Sequence, residues 1–413
     1  MKILWLSHFV PYPPKGGMLQ RSFNLLREVS RDHEIWLLNF IQRAPLLRSF
    51  GSIEEGLRVS HTELLKFVHR AESVPIPDES RRLGRQRTAL RALFSPEPYS
   101  IKWLRSTEYQ QRLDDLLCST EFDVVHLDTI SLAPYLSSAG NMVTMLTHHN
   151  IESQMLRRRA SNERNPLMKL YFLQEAIRLE AYERRLCQKV SLNIVCSDLD
   201  AERLHHIAPG ARFTVAPNSV DIEYFQPNSI EPDPNVLTFA GGMTWYPNRS
   251  AMQFFFREVW PLLTQRVPDV HFDLIGASPP EDIIALAAQD SRIRVHGFVD
   301  DIRPYVGHAG IYVCPIFDGG GTRLKILDAF AMAKAVVAHP MAMEGLHAEP
   351  ERHYLPASSA MEFVTQIERL NRDERMRRAL GEHARMLVEG NFSASAIGRR
   401  LSREIDECAH HRS

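Results

Sequence analysis

Short runs of apolar, β-branched residues alternate along the chain with longer stretches whose apolar positions recur every three or four residues. Lys2 to Ser7 reads as a first buried strand, and a loop holding Pro11, Pro13, Pro14, Gly16 and Gly17 follows it. Met18 to Arg31 has helical spacing, with Leu19, Phe23, Leu26 and Val29 on one face, and Glu34 to Asn39 is a second strand. The pattern then predicts strands at Val124–Leu127, Met142–Thr147, Leu192–Cys196 and Phe213–Ala216, a long helix over Pro166–Gln188, and a helix capped by Ser197. A second series opens at Val236–Ala240 and continues through His271–Ile275, Ile293–His296, Ile311–Val313, a strand ending at Val337 and one near Tyr354. Helices from Ala360 onward follow, the last over Ser393–Cys408. Between the two series lies PNSVDIEYFQPNSIEPDPN, whose Pro217, Pro227, Pro232 and Pro234 have the composition of a linker. Two β/α series in succession predict an α/β protein of two doubly wound Rossmann-like domains, 1–216 and 236–390, joined by 217–235.

Length and composition agree with that division. A chain of 413 residues fits two or three domains, and 44% hydrophobic with 24% charged residues is the balance of a soluble globular protein. The net charge of −1 gives no basic field of the kind nucleic acid would attract. Cys118, Cys187, Cys196, Cys314 and Cys408 are widely spread without a C-x-x-C pair, so neither zinc nor a disulfide framework is expected and a reducing, cytoplasmic setting fits. No apolar run approaches the roughly 18 residues of a membrane span. MKILWLSHFV is too short for a signal sequence and has no small-residue cleavage site after it.

The stretch 41–120 says least. Within it, Arg81 to Arg105 holds seven basic residues and one acidic, interleaved with Leu83, Leu90, Leu93, Phe94, Ile101, Trp103 and Leu104. Two readings stay open: peripheral contact through 81–105 with an anionic membrane at its inner face, or a solvated helix face whose apolar side packs on the domain.

Chemistry concentrates between Ile311 and Val337. A strand ending before Pro315 is followed by Gly319, Gly320 and Gly321, then by Thr322 in position to cap the next helix. A helix N-terminus beyond a strand end presents unpaired N–H groups and partial positive charge, to which Arg323 and Lys325 add formal charge. Asp328, one turn further on, can accept two hydrogen bonds from a vicinal diol such as ribose. On spacing alone a tight turn followed by a solvated charged face remains open. Gly241 and Gly242 form a second glycine turn at a strand end, with Trp245 and Asn248 beyond it. In the first series two strands end at histidines: His126 with Asp128, then His148, His149 and Asn150. Their spacing does not suit metal ligands on one helix face, and no metal is expected. The loop PYPPKGGMLQR lacks G-x-G-x-x-G, which argues against a nicotinamide enzyme.

GGGTRLKILDAFAMAKAVV resembles the nucleotide-sugar loop and helix of family-4 glycosyltransferases of the GT-B fold, in the branch with a glycine-rich loop followed by arginine and lysine. Many members carry two glutamates eight positions apart here; this chain has Gly320 at the first position and Asp328 at the second. PYPPKGGMLQR resembles the family's N-terminal loop, Gly16, Gly17 and Arg21 matching residues that face the cleft and touch donor phosphate or acceptor. In THHNIE, His149 matches a histidine that reaches toward the transferred sugar, and AGGMTWYPN resembles the first loop of the nucleotide domain, with Gly241 and Gly242. HGFVDD resembles the family segment whose backbone groups pair with the nucleobase, which implies Phe298 and Val299 on the base side, and the last helix resembles one that crosses back, 391–413, to the first domain. The likeness is strongest over 213–345 and almost absent over 41–105.

The resemblance implies two domains facing across a cleft and transfer of a sugar from a nucleoside-diphosphate sugar, with retention, to a glycan, lipid-linked or small-molecule acceptor. It implies that Gly320, Gly321, Thr322 and Asp328 hold the donor while Arg323 and Lys325 stabilise the leaving diphosphate, without a metal or a cofactor. A non-catalytic nucleotide-sugar-binding partner of another transferase is the second reading, because Gly320 replaces an acidic residue.

Overall fold

In the computed structural model, which describes residues 1–227, 230–318 and 322–410, the two alternating series form two parallel sheets. The first contains β1 (Lys2–Ser7), β2 (Glu34–Ile41), β3 (Arg70–Pro75), β4 (Val124–Leu127), β5 (Val143–Thr147), β6 (Leu192–Val195) and β7 (Phe213–Val215), in the order β3-β2-β1-β4-β5-β6-β7. The second contains β8 (Asp233–Ala240), β9 (His271–Ile275), β10 (Ile293–Gly297), β11 (Ala309–Cys314), β12 (Ala335–Ala338) and β13 (Leu355–Pro356), in the order β10-β9-β8-β11-β12-β13. Each sheet grows to one side of its first strand and then to the other, so the order reverses between β1 and β4 and again between β8 and β11. Sheets of this kind receive ligands beyond their strand carboxyl ends at such a reversal. Both domains are doubly wound and Rossmann-like.

Residues Met1–Pro217 and the segment from Ile397 onward form one unit, and Asn218–Ala396 the other. In the first, alternate side chains of β1 enter different cores. Ile3 and Trp5 pack with Leu25, Leu26 and Val29 and with Ile397, Leu401 and Ile405 of the C-terminal helix; Leu4 and Leu6 pack with Tyr109, Leu113 and Leu116. That is the period of two of a strand covered on both faces. The second unit has one large core, which includes Phe239, Phe255, Phe272, Val313 and Phe330 and also takes in Val220 and Phe225 from the proline-rich stretch.

Helix Gly17–Val29 starts and stops slightly earlier than its spacing predicts, and it buries more than its apolar stripe. Gln20, Arg21, Ser22, Asn24 and Glu28 are all buried, whereas Leu19 and Phe23 are half-buried. The C-terminal helix, Ala394–His410, lies so close to it that a Cβ on Gly398 would stand 2.2 Å from Glu28 Cβ. The sequence-based reading has no strand where β3 lies. RAESVP is an edge strand with little apolar alternation, and that is the signal on which such a reading depends. Ser197 caps its helix as expected, accepting a hydrogen bond from Asp200 N at 3.1 Å.

Candidate functional site

In the second domain the reversal between β8 and β11 gathers most of the charged candidates. Gly241 and Gly242 follow β8 directly, and β11 leads to the glycine loop and helix Leu324–Ala331. Gly319, Gly320 and Gly321 lie outside the described residues. The helix begins one position later than a Thr322 cap requires. Arg323 is the N-cap, with no side-chain cap bond, and Thr322 Oγ1 is buried without a partner among the described residues. Thr322 is held instead through its carbonyl, which accepts a bond from Asn218 Nδ2 at 2.8 Å.

Arg323 is only 3% exposed, with its guanidinium 5.6 Å from the centre of the Trp245 ring. Lys325 is half-buried, but its ammonium sits 4.7 Å from the Phe239 ring centre and 5.4 Å from that of Trp245, and it donates to Asn248 Oδ1. Asn248 Nδ2 in turn donates to Gly242 O at 2.8 Å. Desolvation pushes Lys325 down to about 8; Arg323 adds to that effect, while Cys314 and Asp328 oppose it. No carboxylate lies within ion-pair distance of Lys325 among the described residues, so its charge is steadied by rings and an amide rather than neutralised. Gly241 makes room for this arrangement: a Cβ there would come within 2.7 Å of Asn248 Nδ2 and 2.9 Å of Lys325 Nζ. Two cations gathered at the Trp245 ring, Lys325 beside the bare Gly241 backbone at a strand end, make a seat for an anion.

Asp328 is buried one turn along the helix from Lys325. Phe298 is partly exposed just past β10, where Gly297 turns the chain with φ +67. Val299 packs its side chain against the core, leaving its backbone as the part able to meet a ligand.

In the first domain the reversal between β1 and β4 holds a second polar cluster. Asp128, just past β4, is fully buried, accepts from Ser22 Oγ at 2.7 Å and lies 3.3 Å from His149 Nε2. Burial would raise this carboxyl, but His149 beside it and the other histidines hold it down at about 2. His149 follows β5 by two residues, and its side chain is 7% exposed. Cys196 Sγ donates to the carbonyls of His148 and His149 at 3.2 and 3.4 Å, which fixes the turn that aims the ring. Arg21 is buried in helix Gly17–Val29, whereas Gly16, with φ +108, and Gly17 are exposed at its start. His126 and His148 serve structure: His126 bonds Thr147 Oγ1 and packs its ring at a tilt against Trp5, and His148 bonds Asn193 Oδ1. Among the described residues no group of His, Cys, Asp and Glu is arranged to hold a metal ion.

The structure therefore brings Gly241, Gly242, Arg323 and Lys325 together, and separately His149 with Asp128. Asn218 and Ser22 escape sequence reasoning, and so do the pairings of Asp128 with His149 and of Asn248 with Lys325. Asp128 and Asn248 were visible only as residues beyond strand ends; Asn248 meets Lys325 across 77 residues of chain.

Two doubly wound parallel sheets, each with its polar residues at the reversal point, are the architecture of the GT-B class. Solved structures share it over nearly their whole length. A sucrose-phosphate synthase from Thermosynechococcus elongatus matches with TM-score 0.71 at 14% identity, covering 98% of this chain and 99% of that one. Anabaena HepE in complex with UDP matches at 0.64 and 16%, covering 98% and 100%. A point mutant of S. aureus TarM, in complex with fondaparinux, alpha-GlcNAc-glycerol and UDP, matches at 0.68 and 11%, covering 97% and 98%. No curated protein matches the chain in sequence. Residues 61–224 match the family described as Glycosyltransferase Family 4, and residues 234–373 the one described as Glycosyl transferases group 1. The chain belongs to the family-4-like glycosyltransferases. The first match begins at residue 61, inside the stretch where the likeness is hardest to see by eye.

Proposed function

We propose that the protein transfers a sugar, with retention of configuration, from a nucleoside-diphosphate sugar to a glycan, lipid-linked or small-molecule acceptor. The gathering of Arg323 and Lys325 at the Trp245 ring, with Lys325 against Gly241, carries this reading, because a departing diphosphate needs fixed positive charge that meets it without reorganising. The UDP bound to HepE and to TarM supports the same donor class.

In the proposed reaction the bond between the anomeric carbon and the diphosphate oxygen breaks and its electron pair goes to that oxygen. The acceptor hydroxyl oxygen bonds to the same face of the carbon, and its proton passes to the departing phosphate. Arg323 and Lys325 hold the diphosphate, Asp328 the ribose, and Phe298 with the Val299 backbone the base. Gly320 and Gly321 complete the donor loop, and Thr322 anchors it through Asn218. In the first domain His149, oriented by Asp128, addresses the transferred sugar, with Arg21, Gly16 and Gly17 on the acceptor side. No metal is assigned a role, and chelation should leave turnover unchanged.

Arg323→Ala and Lys325→Ala test the proposal. Each should lower turnover by about 10²–10³-fold while the melting temperature stays near that of the parent. Wild-type turnover in both removes it. Donor hydrolysis in the absence of acceptor separates an enzyme from a binding partner of another transferase, and the anomeric configuration of the product, read by NMR, checks retention.

A further inference from the structure

We propose that helices Gly84–Leu93 and Pro166–Cys187, which meet edge to side in the first domain, form a docking surface for an anionic lipid bilayer. The inward face of the first helix is Gly84, Thr88 and Ala92, spaced by four and buried. Away from that face Leu90 and Arg87 are exposed on the helix, and Leu83 and Phe94 are exposed at its two caps, Phe94 by 88%. The second helix shows a like stripe at its start and middle: Leu167, 77% exposed, then Leu170 and Ile177.

The two stripes join. Gln174, between Leu170 and Ile177, donates to Leu93 O at 3.4 Å, and Arg178 donates to Ala92 O and Leu93 O at 2.7 and 2.8 Å, directly beside Phe94. Six large apolar side chains exposed on and beside two joined helices mark a place that something covers.

Charge identifies the occupant. Arg81 and Arg85 are answered by Asp78 and Glu79. Arg82, Arg87, Arg91 and Lys169 are exposed around the stripes, and their side chains have no acidic partner among the described residues. An apolar stripe edged by unanswered arginine is the composition of a helix that lies in a lipid headgroup region, the side chains entering the acyl boundary and the guanidinium groups meeting phosphates. A second copy of the chain would fit poorly: a two-fold contact sets the patch against itself, arginine on arginine. Both readings that the sequence left open for 81–105 then hold at once, since the inner side packs on the domain and the outer side does not. The surface is independent of the reaction, and its readout is binding.

The test is cosedimentation of the full chain with vesicles of phosphatidylcholine alone and of phosphatidylcholine with phosphatidylglycerol. The wild type should bind only the mixed vesicles and be released by salt. Arg82→Gln/Arg87→Gln/Arg91→Gln should lose about five-fold in partition for each basic residue removed. Phe94→Ser/Leu170→Ser should weaken binding to the same vesicles. Both variants alter exposed side chains, and an unchanged circular dichroism spectrum verifies their fold. Binding to neither vesicle, equal binding to both, or unchanged binding by either variant overturns the proposal. So does sedimentation equilibrium that shows a wild-type dimer dispersed by Phe94→Ser/Leu170→Ser, because the occupant is then a second copy.

Discussion

Lys325 shows how one residue is tuned by its surroundings. An ordinary lysine is charged far above neutral pH, but this one is held at about 8, so at pH 8.5 much of the free protein carries it neutral. A bound diphosphate favours the charged form, and binding at that pH must therefore draw a proton from solution. Titration calorimetry in two buffers of different ionisation enthalpy should show net proton uptake at pH 8.5 and none at pH 6.5. Lys325→Met should abolish the uptake; an uptake that persists in the variant contradicts the assignment. Folding stability feels the same group. Unfolding returns Lys325 to its higher ordinary value, so its burial costs stability below about pH 8, and the cost fades as pH rises from there toward 10.5. Gly241→Ala tests the space rather than the charge. Its Cβ would displace Lys325 Nζ and Asn248 together, and nucleotide affinity should fall at least about tenfold, as read by equilibrium titration.

At the scale of elements, the contact between helix Gly17–Val29 and helix Ala394–His410 depends on the missing Cβ of Gly398. Gly398→Ala should destabilise the chain by about 1–3 kcal/mol, measured by urea midpoint, because the added atom meets Glu28 Cβ and backbone must move. Gly390 is the control. A Cβ there meets nothing within 4 Å, and Gly390→Ala in helix Glu374–Asn391 should stabilise by about 0.5–1 kcal/mol. Most elements were legible beforehand because their apolar residues repeat with the period of the element. Lys2–Ser7 and Ile311–Val313 could scarcely be read otherwise. β3 was not legible, since RAESVP sits at a sheet edge and packs little. Thr322 fails as a cap for a local reason: Arg323 has the extended backbone of an N-cap, and the helix starts after it. The candidate positions visible in the sequence were those at strand ends, Gly241 and His149, and Lys325 in the helix that follows the glycine loop. The partners that set its electrostatics, Asn248 for Lys325 and Asp128 for His149, were not, because no local pattern announces contacts made only by folding.

For the whole molecule, two sheets of one winding pattern each place polar groups at their own reversal point, and the groups differ in kind. The second domain offers fixed cations beside glycine backbone; the first offers a buried carboxylate beside a histidine. Among the described residues no helix is long and apolar enough to cross a membrane. The central claim is that Arg323 and Lys325, which share the Trp245 ring, seat a nucleoside diphosphate. Isothermal titration of UDP and GDP against the wild type and against Arg323→Ala/Lys325→Ala tests it most directly. At least one nucleotide should bind the wild type, with affinity about 100-fold lower or more in the double variant at unchanged melting temperature. Equal affinity in the two proteins, or no binding of either nucleotide to the wild type, would contradict it.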